Sequence, residues 1–132
     1  MSSHLLDTDV CIDVLRGRDD ALEAQIRALT DVTICSVTVA ELEYGAARSS
    51  DPDGNRRAVE RLLAAVDVIA LDKDGARHAG EIRAGLTRRG TPIGGYDLLI
   101  AGVARSRNSV LVTRNLKEFR RVVGLELLDL RS

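Results

Sequence analysis

Four separate segments of the chain end by presenting carboxylate or amide oxygens. The apolar run 4–6 climbs into Asp7 and Asp9, and the β-branched run 32–35 is followed by Glu41. The Gly94-Gly95 break leads into Asp97, and the run 110–113 into Asn115 and Glu118. If Asp7, Glu41 and Asp97 converge, their charges repel, and one must keep a proton unless a cation lies between them. A hard divalent ion resolves the repulsion. Mg²⁺ takes oxygen ligands, keeps several waters, and binds through one or two carboxylates plus substrate phosphate. Such a centre clamps a phosphodiester, stabilises charge on the leaving oxygen and activates water. Neither histidine suits the general base, since His4 lies in the first apolar run and His78 in a polar helical stretch. The metal and its carboxylates would have to activate the water.

Each acid also has a purely local reading. Asp9 fits the N-cap of a helix that Gly17 stops. Thr38-x-x-Glu41 and Asn115-x-x-Glu118 match the capping box, and Asp97 fits the first-turn acid favoured by a helix dipole. Asp7 resists such a reading best, because it ends a strand, where aspartate is depleted, two residues ahead of the expected cap. Asp97 comes next. The helix it opens has no other acid in its first ten residues, and a lone carboxylate there is costly without a partner.

A scaffold must bring these segment ends together. Strand patterns at 4–6, 32–35, 68–71, 110–113 and 125–130 alternate with helical periods at 10–16, 21–29, 39–48, 58–66, 72–89, 97–107 and 116–122. The stretch 49–55 reads as a turn-rich break. The alternation predicts an α/β fold with a mostly parallel sheet, and 1–132 is expected to form one domain. In such sheets ligands lie at the carboxyl ends of the strands, which is where the acids stand.

Composition narrows the function classes. Hydrophobic content of 45% with 30% charged residues is that of a soluble globular domain. Of the 19 basic residues all but Lys73 and Lys117 are arginine, clustered at 56–57, 88–89, 105–107 and 120–121. Arginine suits phosphate contact, although solvated helix faces would look the same. Only Tyr44, Tyr96 and Phe119 are aromatic, which argues against a base-stacking surface for single-stranded nucleic acid. Cys11 and Cys35 sit in apolar runs without CxxC spacing, as buried thiols in a reducing compartment do. With no signal-like leader and no apolar stretch of membrane length, a cytoplasmic protein without a membrane partner is expected.

The stretches "LLDTDVCIDVLRG", "SVTVAELEYG", "PIGGYDLLIAGVA" and "LVTRNLKEF" resemble, in that order and at fitting separations, the motifs of PIN-domain ribonucleases, and most of all the VapC-type toxins. The resemblance spans residues 4 to about 129. It implies a three-layer α/β/α domain with four to five strands and a Mg²⁺- or Mn²⁺-dependent ribonuclease. Its catalytic acids fall on Asp7, Glu41 and Asp97, with Asp7 and Asp97 as metal ligands. Asp9, Thr113 and Asn115 fall around them as supporting or substrate-positioning residues, while Glu43 lies on another face of its helix. The implied partners are RNA, a small VapB-like antitoxin and a second copy in a homodimer. The chain departs from the family pattern at Asp9, where asparagine is common, at Tyr96, and at Asn115, where a fourth acid is frequent. Asn115 favours one ion over two.

Two rivals remain at this level. "LLDTDVC" also fits the DxDx[TV] motif of haloacid-dehalogenase-like phosphatases, with Asp7 as nucleophile and Asp9 as acid/base, but the later lysine and paired acids of that family are missing. The other is a catalytically idle PIN-like module that binds partners, which Asn115 keeps open.

Overall fold

A computed structural model describes residues 3–130. Five strands, β1 (His4–Leu6), β2 (Val32–Cys35), β3 (Asp67–Ile69), β4 (Val110–Thr113) and β5 (Leu127–Asp129), form one sheet in the order β3-β2-β1-β4-β5. Every pairing is parallel. The chain lays down one half of the sheet outward from β1 through β2 to β3. It then crosses back to place β4 on the other side of β1. That reversal of direction opens a crevice at the carboxyl ends of β1 and β4, the usual ligand position in open α/β sheets.

Seven helices connect the strands: α1 (Thr8–Arg16), α2 (Asp20–Arg27), α3 (Ser36–Ala47), α4 (Pro52–Ala65), α5 (Lys73–Arg89), α6 (Gly95–Ser106) and α7 (Leu116–Phe119). Successive strand residues point to opposite faces, so the central strands β1, β2 and β4 feed two cores. Leu5 and Leu111 pack with Ile82, Leu86, Ile100 and Phe119 from α5, α6 and α7. Leu6, Ile34 and Val112 pack with Val10, Leu22, Leu42 and Val59 from α1 to α4. The result is the expected three-layer α/β/α arrangement, and its unbroken apolar strands follow from burial on both sides. Residues 100–104 of α6 are buried without exception. A Cβ at Gly102 would stand 2.6 Å from the Gly75 carbonyl oxygen and 2.7 Å from the Ala79 Cβ, so only glycine lets α5 and α6 approach this closely.

Several helix starts differ from the local reading. Asp9 does not cap α1. The helix begins at Thr8, the Asp7 side chain caps it, and Asp9 lies exposed in its first turn. Helix α3 starts directly after β2 at Ser36, which puts Thr38 and Glu41 inside it and rules out their capping box. Asn115 precedes α7 but its side chain caps no amide, so the second capping box is absent too. The stretch 49–55 is not all turn: Asp51 caps a helix that starts at Pro52, because proline is suited to the first helical position. Among the described residues no helix is long and apolar enough to cross a membrane.

Candidate active site

Asp7 sits where β1 becomes α1, at the sheet's reversal point. Its backbone N–H continues the sheet by donating to the Val112 carbonyl at 3.0 Å. Its Oδ1 accepts from the Val10 N–H at 2.8 Å, so the residue that ends the strand also starts the helix. The Thr113 hydroxyl bonds the same carboxylate and accepts the Asn115 N–H at 2.8 Å, tying the ends of β1 and β4 together. Only 2% of Asp7 is exposed. Burial pushes its carboxyl up to about 6, with the charges of Asp9 and Asp13 adding to the effect and the bonds from Thr113 and Val10 opposing it.

Asp97 reaches the same crevice from the first turn of α6. Burial pushes it up to about 7, helped by a hydrogen bond to Glu118, by the Glu118 charge, and by the charges of Asp7 and Asp9. Glu118 behaves oppositely. Burial alone would raise it, but hydrogen bonds with Asp97, the Gly94 amide and Asn115 hold it below its ordinary value. The Glu118 Oε1 accepts from the Gly94 N–H at 3.1 Å and its Oε2 from the Asn115 Nδ2 at 3.1 Å.

Glu41 is held from the side. The Thr8 hydroxyl donates to its Oε1 at 2.7 Å and also meets the Thr38 hydroxyl at 3.1 Å. One buried threonine thus links the start of α1, one residue after Asp7, to the acid on α3. A cavity of about 560 Å³ opens beside Glu41 between α1, α3 and α4, floored by Ile12, Leu15 and Val59 and rimmed by Arg16 and Arg48.

Among the described residues no arginine or lysine ion-pairs with Asp7, Glu41, Asp97 or Glu118. Arg114, directly after Thr113, is committed elsewhere: it grips Asp13 at 3.1 Å and Asp19 at 2.7 Å. Glu43 pairs with Arg56 at 3.4 Å, away from the acids. Cys11 and Cys35 are free and fully buried, and burial pushes both thiols up, which makes them inert packing residues. No three Asp, Glu, His or Cys side chains among the described residues are already grouped to hold a metal. An ion bound through two carboxylates and waters does not need such a group.

The structure thus gathers Asp7, Asp9 and Asp97 within reach of each other's charge and adds Glu118, which the sequence reading saw at the strand end but left out of the site in favour of Asn115. Asn115 instead serves Glu118. The spacing Asn115-x-x-Glu118 was the available clue, and its resemblance to a capping box obscured it. Thr8, the link to Glu41, carried no sequence mark at all.

Comparisons with known proteins agree with this fold. The PIN domain family model matches residues 4–125. The curated tRNA(fMet)-specific endonuclease VapC of Salmonella typhimurium is 40% identical over 98% of this chain and 98% of its own. Ribonuclease VapC2 of Haemophilus influenzae is 36% identical over 95% and 96%. A solved structure of DNA-bound VapBC from Salmonella typhimurium superposes with a TM-score of 0.94 at 39% identity, covering 99% of this chain and 100% of that one. The chain belongs to the PIN domain family, in its VapC branch.

Proposed function

We propose that this protein is the toxin of a toxin–antitoxin pair, a Mg²⁺-dependent endoribonuclease (Mn²⁺ serving as a substitute) whose site is built on Asp7, Glu41 and Asp97. The observation that carries the metal reading is the pair Asp7 and Asp97. Both are carboxyls raised toward neutrality by burial and by neighbouring acids, and neither has a cation of the chain paired with it. Their donor set is all hard oxygen, which fits Mg²⁺. Asp7 and Asp97 would hold the ion, with Glu118 adjoining through Asp97. A divalent ion there supplies Lewis-acid stabilisation of phosphate charge. Glu41, oriented by Thr8, would align the attacking water and accept its proton as the phosphodiester is hydrolysed. Thr113 and Asn115 hold Asp7 and Glu118 in place, and Asp9 adds negative charge at the exposed mouth.

The relatives named as ribonucleases support the reaction, and those named tRNA(fMet)-specific endonucleases make transfer RNA the first substrate to test. The solved VapBC complexes support a VapB-like antitoxin as partner. The apolar-floored cavity beside Glu41 is where such a partner would cover the acids. A phosphatase nucleophile at Asp7 is not favoured, since that side chain is buried and engaged as a helix cap. An idle module is not favoured either, because the sequence retains Asp7, Glu41 and Asp97.

The test is cleavage of RNA by the purified chain with Mg²⁺, against EDTA and against Asp7→Asn and Asp97→Asn. Loss of cleavage in all three is expected. Persistence in EDTA would refute the metal. Hydrolysis of a phosphomonoester with no cut in RNA would favour the phosphatase, and silence in both assays with tight antitoxin binding would favour the idle module.

A further inference from the structure

A second cavity lies on the other side of the first turn of α6. It has a volume of about 660 Å³, and Arg83, Leu86 and Thr87 on α5 face Ile93, Tyr96 and Leu98 across it. Asp97 does not line it. Consecutive helical residues project about 100° apart, so Tyr96 faces this cavity while Asp97 faces the acid cluster. Tyr96 is 61% exposed, although it belongs to a chain with only three aromatic residues. Arg83 is exposed and forms no ion pair among the described residues. The lip of the cavity is fixed to the acid site: Glu118, the partner of Asp97, accepts the Gly94 amide, and the Arg121 Nη1 donates to the Pro92 carbonyl at 2.9 Å.

We infer that this cavity is a nucleobase subsite, which takes one unpaired base of the RNA flanking the phosphate that is cut. The inference rests on the ribonuclease reading above and deepens it. An aromatic wall offers a face on which any base stacks, and such stacking is how single-stranded RNA is commonly held. Apolar side chains with a few convergent polar groups are the usual lining of a ligand pocket. Here Arg83 and Thr87 supply a cation and a hydroxyl one helical turn apart on α5. A strand passing over the first turn of α6 would lay its phosphate at Asp97 and its base against Tyr96. The scarcity of aromatic residues does not count against a subsite that needs one ring. Charge decides between RNA and a second copy of the chain as occupant. Arg83 lines the cavity and Arg121 bonds the Pro92 carbonyl at its lip, so the cations beside the pocket suit a polyanionic strand.

The test uses the full-length chain in EDTA, where nothing is cut, with a fluorescein-labelled pool of random-sequence 12-nucleotide single-stranded RNA read by anisotropy. Tyr96→Leu is expected to bind roughly ten-fold more weakly, the scale of one base–aromatic stack, and Tyr96→Phe to bind as the parent does. Arg83→Gln should also weaken binding. Sedimentation of each variant is measured alongside. Equal binding by Tyr96→Leu, or no binding by the parent chain, overturns the subsite. So does weaker binding accompanied by a change from dimer to monomer, which assigns the face to a second copy. Cleavage by the parent chain in Mg²⁺ is scored separately. Cleavage with ring-independent binding leaves the nuclease standing and removes the subsite. Ring-dependent binding of RNA that is never cut does the reverse.

Discussion

Replacing Asp7 by asparagine should make the metal-free protein more stable while abolishing cleavage. In the folded chain the carboxyl titrates at about 6 against an ordinary 3.8, and at 2% exposure little solvent screens it. The native state therefore holds this proton more tightly than the unfolded chain does. Stability is greatest below about pH 4 and falls as pH rises toward 6, and above that the loss is complete, roughly 3 kcal/mol. Asparagine is neutral and of the same shape, and its Oδ1 can still accept the Val10 N–H as a cap. Against the gain stands the changed bond to Thr113, worth roughly 1 kcal/mol. The net expectation is about 2 kcal/mol of added stability near pH 7.5, or a Tm roughly 6–8 °C higher for a chain of this length. Paired melts of parent and variant in EDTA across pH 4 to 8 report chiefly on this group, with a smaller contribution from Asp97, whose carboxyl is raised in part by the Asp7 charge. The difference should open between about pH 4 and 6 and narrow when Mg²⁺ is added, since the ion stabilises only a form that binds it. A variant less stable than its parent at pH 7.5, or a gain that is constant with pH, would refute the reasoning.

Three further outcomes follow from the same geometry. Glu41→Gln keeps the acceptor oxygen for Thr8, so melting should change by less than about 1 kcal/mol, while the cleavage rate falls by roughly 10²–10⁴-fold, the usual loss of a proton acceptor; retained activity would make Glu41 structural. Gly102→Ala forces a methyl against Gly75 and Ala79, and denaturant melts should show a loss of about 1–3 kcal/mol with the Mg²⁺ requirement unchanged. Asn115→Asp exchanges a donor to Glu118 for a second negative charge. Calorimetry should show tighter Mg²⁺ binding or a second ion, together with lower metal-free stability at neutral pH, and no change in either would place this position outside the ion's surroundings.

The strands and the acids that follow them were legible because both are written locally: short apolar runs, β-branched residues, and an acid where a strand stops. What escaped was written across distance. Asp9 resembles a cap as well as Asp7 does, and only the register of β1 beside β4, which brings Thr113 to Asp7, decides which of them starts the helix. The Pro52-Asp53-Gly54-Asn55 stretch has the composition of a turn, yet with Asp51 before it the same residues open α4. Glu118 matters through Asp97 and Gly94, which lie on a different element, and no local pattern announces a hydrogen bond between side chains of α6 and α7. The fold was therefore easier to read than the site, since a site is a set of meetings.

The position of β1 has a consequence for when the acids can meet. The strand made first lies in the middle of the sheet, and one of its two flanking partners, β4, is synthesised last but one. The Arg114 bond that clasps α1 spans 101 residues, and the serine contact beside the start of β1 spans 106. Contacts of this reach form late, because long loops must close before they are rewarded. A chain still emerging from the ribosome at α5 has Asp7 and Glu41 but neither Asp97 nor Glu118 to face them. Topology thus sets an order of assembly: the acids at the carboxyl ends of β1 and β4 can meet only after nearly the whole chain has been made.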